Sequence, residues 1–171
     1  FFRALLAPDL RQSMTALSQV QALGWSAHDV RHIVLTHLDF DHAGGLYDFP
    51  DAAVHVLAAE ADTAGNRGRW LQRQRFRPQQ WPRVERWHLH RETAGEAWFG
   101  LSFVRPLQGL PPDILMVPLQ GHTRGHAGIA VHSEGRWQLL AGDAYFHQDE
   151  LEPGPYRCPP GLRGYQWMME Q

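Results

Sequence analysis

The chain has 171 residues, a length that fits one domain spanning 1–171 with one active site. Its net charge of −2 gives no global basic field of the kind nucleic-acid binders use, and no apolar run nears the ~20 residues needed to span a bilayer. A small-molecule substrate is therefore expected, with no nucleic acid and no membrane as partner. The single cysteine, Cys158, excludes an internal disulfide framework and a Cys-rich zinc cluster, and suits a reducing, cytoplasmic setting. All 16 basic residues are arginine, which leaves no lysine for a Schiff base or a P-loop.

Leu10, Met14, Leu17, Val20 and Leu23 recur at three- and four-residue steps and predict an amphipathic helix from Asp9 to about Leu23, closed by Gly24. Ser26 with Asp29 has the form of a short capping box. Ile33, Val34 and Leu35 read as a buried strand that delivers Thr36 and His37 at its carboxyl end. A second strand is expected over 53–57, followed by a helical turn from Ala58. Residues 67–91 carry eight arginines against one acid, Glu85, with Trp70, Phe76, Trp81 and Trp87 interleaved. This segment is expected to be an insertion over the core with a solvated arginine face, and its aromatic content would suit a homodimer interface. His88 and His90 alternate on a strand within it. Further short strands are expected at 101–105, 114–119, 128–132 and 137–141, the last two joined by a turn at Ser133, Glu134 and Gly135.

Chemistry concentrates where strands end. His37, Asp39, Asp41 and His42 put four donors in six positions, His122 and His126 follow the strand at 114–119, and Asp143 follows the strand that ends near Leu140. Imidazoles and carboxylates packed together without a cation would suffer desolvation and carboxylate repulsion, and a metal removes both costs.

The Thr-His-x-x-x-Asp-His-x-Gly-Gly run from Thr36, the Gly-His-Thr-x-Gly-His run from Gly121 and the Gly142-Asp143 pair, in this order, resemble the metallo-beta-lactamase superfamily over about residues 30–146. The resemblance implies an α/β fold, the αββα sandwich, incomplete at both ends because the family's first strands and a late histidine ligand have no counterpart here. It implies that His37, Asp39 and His122 bind a first metal, that Asp41 and His42 bind a second, and that Asp143 bridges them. Zinc is the expected ion, two in the full-length protein. Asp39 stands where the family usually has histidine, which makes iron or manganese an option. A metal-bound hydroxide would cleave a small ester, lactone or thioester, as in the lactonase-like branch. Asp41 would orient the water or take its proton, and Tyr145 resembles the tyrosine that stabilises an oxyanion in quorum-signal lactonases. His126 is read as structural. The alternatives are a di-iron oxidoreductase of the same fold and a non-catalytic relic or binding domain.

Overall fold

Two sheets of different character carry the chain. The computed structural model describes residues 7–81, 86–91, 95–154 and 158–169. The first sheet is parallel, in the order β1 (His32–Val34), β2 (Ala53–Leu57), β3 (Trp87–His90). The second is antiparallel and sequential, with β4 (Glu96–Trp98), β5 (Leu101–Pro106), β6 (Ile114–Pro118), β7 (Ala127–Ser133) and β8 (Arg136–Leu140). Buried apolar side chains explain the layering. Leu35, Leu38, Val54, Val56 and Phe76 form one cluster, while Leu57, Met116, Ala127 and Ile129, with Val34 against them, form another that joins the sheets. Val54 and Val56 lie in the first cluster and Leu57 in the second, so β2 packs apolar side chains on both faces and buries both, as a parallel strand between layers must. Together these elements make the layered α/β sandwich that the sequence resemblance implies.

The strands expected from the sequence are present to within a residue or two at each end. The β7–β8 connection turns on Glu134 and Gly135, both at positive φ (52° and 74°), which is the two-residue turn whose twist matches antiparallel strands. Two expectations are corrected. The N-terminal segment is not one helix from Asp9. A single 3-10 turn, Gln12–Met14, precedes α1 (Ala16–Ala22), because Thr15 adopts an extended conformation and its hydroxyl caps the Ser18 N–H instead of continuing the spiral. Leu10, Met14 and Leu23 remain exposed. The segment 67–91 is not simply an insertion over the core either. It holds α4 (Trp70–Arg75), which follows α2 (Phe40–Ala43) and α3 (Ala58–Gly65), and its last residues are β3, the third strand of the parallel sheet. Arg75 and Phe76 are buried, not solvated. Arg83 and Glu85 lie outside the described residues.

Parallel pairing also assembles four histidines. His55 lies opposite His88, and its ring stacks on those of His88 and His90 at centroid distances of 4.8 and 5.3 Å. Its Nε2 is 3.0 Å from His32 Nδ1 and its Nδ1 3.1 Å from His90 Nε2, so one run of ring hydrogen bonds links three imidazoles. Burial, reinforced by the charges His88, His90 and His32 would carry, lowers the His55 pKa from 6.5 to about 4. A neutral buried imidazole that protonates readily only when unfolded adds stability above pH 6.5 and loses it as pH falls toward 4. The loss amounts to at most about 3 kcal/mol. Thermal melts of the wild type and of His55→Gln should therefore converge over that range; parallel curves would refute the assignment.

Candidate metal centre

Three loops meet at the carboxyl ends of β1, β6 and β8. After β1, Thr36 O accepts from Ala127 N–H at 2.9 Å, which ties this loop to the second sheet, and Leu38 is fully buried as its anchor. Asp39 stands at the start of α2, its carbonyl accepting from His42 and Ala43 N–H, so the helical turn sends Asp41 and His42 in different directions from Asp39. The second loop is fastened to the first by Glu60 of α3. One Glu60 oxygen accepts from Leu38 N–H at 2.9 Å, and the other accepts from the Thr123 hydroxyl at 2.6 Å and Gly125 N–H at 3.2 Å. A Cβ on Gly125 would lie 2.1 Å from the Glu60 backbone nitrogen, which is why glycine sits there. In the third loop Gly142 has φ +57°, and a Cβ on it would meet His126 Nε2 at 2.7 Å. Glycine thus lets the Gly-Asp pair approach His126, whose Nε2 accepts from Asp143 N–H at 3.0 Å.

Two overlapping donor groups result. Ring nitrogens and carboxylate oxygens of His37, Asp39 and His122 lie within 4.8 Å of one another, as do those of His37, His42 and Asp143. His37 belongs to both. Its Nδ1 is 3.0 Å from the Thr36 hydroxyl, whereas its Nε2 is buried without a hydrogen-bond partner, 3.4 Å from Asp39 Oδ2 and 3.9 Å from Asp143 Oδ2. An orphaned imidazole nitrogen facing two carboxylates is costly unless something else fills the place. The donor set suits a divalent ion that takes nitrogen and oxygen, so the residues fit the metal that the fold implies.

The electrostatics agree. Burial disfavours the Asp39 carboxylate, but His122, the nearby His37 ring and the Arg75 guanidinium outweigh it and hold this acid well below the usual range. Asp143 is likewise lowered, burial being overcome by its bond with His42 and by the surrounding histidines, and His42 is raised against its own burial by Asp143. His126 is different. Its Nδ1 donates to Leu119 O at 2.8 Å and its Nε2 accepts from Asp143, so both nitrogens are used in the neutral form. Burial above all lowers its pKa to about 4.

Of the residues singled out from sequence, His37, Asp39, His42, His122 and Asp143 come together. Asp41 stands at the rim with its side chain 45% exposed, 3.9 Å from His42. Tyr145 is exposed, and it is the next ring, Phe146, that meets His122 at 5.5 Å between centroids. Phe146 in turn contacts Tyr165 of α5 (Pro160–Met169), whose phenol is raised by burial first and then by the Asp41 and Asp39 carboxylates. His147 accepts from Asp149 N–H at 3.3 Å and caps a 3-10 turn. Sequence reasoning missed Arg75, Glu60 and Tyr165. Arg75 Nε donates to Asp39 Oδ1 at 2.8 Å and its Nη2 to Oδ2 at 2.7 Å. Arg75 and His122 also line a cleft of about 880 Å³ with Asn66, Arg69, Gln72 and Arg124.

The chain belongs to the metallo-beta-lactamase superfamily, which it matches over residues 8–168. It is 44% identical over 162 residues to a probable metallo-hydrolase of Mycobacterium tuberculosis, covering 95% of this chain and 52% of that protein. An acyl-coenzyme A thioesterase of Homo sapiens is 28% identical over 141 residues, covering 72% and 44%. In fold the chain is similar to an N-acyl homoserine lactone hydrolase solved with the product N-hexanoyl-L-homoserine at its catalytic metal centre, with a TM-score of 0.66 at 20% identity over 85% of this chain and 50% of that one. The chain spans about half the length of the curated relatives it matches.

Proposed function

We propose that this chain carries the centre of a zinc-dependent hydrolase that cleaves a small ester, lactone or thioester. The observation that carries the reading is the pair of donor groups sharing His37, with its buried Nε2 unpartnered, beside an open cleft. A bound zinc ion supplies a Lewis acid that polarises a carbonyl and makes a water acidic near neutral pH. The chain's own residues do the rest. Asp41, half-exposed at the rim, is placed to accept a proton at its carboxylate, while Asp143 draws His42 toward the site. The cleft's volume falls in the range of small-molecule sites, roughly 300–1,000 Å³. The thioesterase named above cleaves a thioester and the lactone hydrolase a lactone, both ester-type bonds, which supports that choice of bond.

The test is a panel of an acyl-coenzyme A thioester, an N-acyl homoserine lactone and an aryl ester, assayed with zinc-reconstituted protein. Hydrolysis of at least one substrate, abolished by chelation and restored by zinc, is expected. Absence of turnover on all three, in protein shown to contain zinc, would contradict the reading.

A further inference from the structure

The geometry points to Arg75 as a built-in cation of this site: we propose that its guanidinium takes the place of one of two metal ions, so that the chain binds a single divalent ion, at His37, His42 and Asp143. The inference rests on the metal-centre reading and deepens it. Arg75 grips Asp39 through two parallel hydrogen bonds, of 2.8 and 2.7 Å, which engage both carboxylate oxygens. The same Nη2 lies 3.1 Å from His122 Nε2 and donates to the His122 carbonyl at 3.4 Å. An ion held by His37, Asp39 and His122 would need the very Asp39 oxygens and His122 nitrogen that the guanidinium already contacts. It would also set a divalent charge beside a buried arginine, and arginine does not give up its proton in proteins.

Arg75 is fixed in place. It is the last residue of α4, and the next residue, Phe76, pairs with Asp39 in an isolated antiparallel bridge while its ring is buried in the core with Leu38. Swinging the guanidinium away would disturb that anchor. The group His37, His42 and Asp143 adjoins this pairing, His37 Nε2 lying 3.4 Å from Asp39 Oδ2 and Asp143 Oδ2 3.6 Å from His122 Nε2, but its own closest pair, His42 Nε2 to Asp143 Oδ1 at 3.4 Å, uses neither Asp39 nor His122. The site therefore has one fixed positive charge on Asp39 and one place for an ion.

Metal-free protein is reconstituted with zinc, freed of excess ion, and its zinc content measured by elemental analysis alongside circular dichroism. One ion per chain is expected for the wild type, one for Arg75→Lys, and two for Arg75→Met. Because Arg75→Met strands a buried carboxylate, the double variant Asp39→His with Arg75→Met supplies a neutral donor instead and should also bind two. Two ions in the wild type, or one in both folded methionine variants, would overturn the role of Arg75 while leaving the metal centre standing. No ion in the wild type would overturn the metal-centre reading, and this inference with it.

Discussion

Glu60→Ala is expected to lower the melting temperature by on the order of 10 °C, from a loss of about 3–5 kcal/mol. The side chain is fully buried and accepts from Leu38 N–H, the Thr123 hydroxyl and Gly125 N–H. Its removal strands three buried donors and opens a cavity between the loop that carries His37 and the loop that carries His122. Glu60→Gln keeps one acceptor oxygen but turns a donor toward the other partners, so it should fall between alanine and the wild type. Thermal denaturation of the three proteins gives the order directly. Alanine and wild type melting together would show that the loops are held by something else.

His37→Ala is expected to lower kcat/KM by at least about 100-fold on whichever substrate the panel identifies. Groups that merely support a ligand are commonly worth 10–100-fold in metal affinity or activity, and a donor shared by both groups should exceed that. The substitution also removes a fully buried ring and its 3.0 Å contact with the Thr36 hydroxyl, so folding is measured alongside activity. Circular dichroism separates the two effects. Activity within a few-fold of the wild type would remove His37 from the centre.

The parts of this site that could be read from sequence are those whose chemistry is written locally. His37, Asp39, His42, His122 and Asp143 lie in short runs that follow apolar strands, so both their type and their place could be inferred. What escaped depends on distance along the chain. Arg75 meets Asp39 across 36 residues, and it stands among eight arginines that look alike until α4 and the bridge at Phe76 select one for burial. Glu60 had a faint signal, an acid set between Ala59 and Ala61, small residues that allow close packing, but its three partners come from two other loops. Tyr165 approaches the carboxylates only because α5 packs Tyr165 against Phe146. Apolar spacing runs on through Thr15 and suggests one long helix, whereas the Thr15 hydroxyl accepts from Ser18 N–H and starts the helix afresh.

Calorimetric titration of zinc into metal-free wild type and His37→Ala tests directly whether His37 organises a metal centre. Saturable uptake by the wild type that disappears in the folded variant is the predicted result. Equal uptake by the two proteins, or none by the wild type, would contradict it.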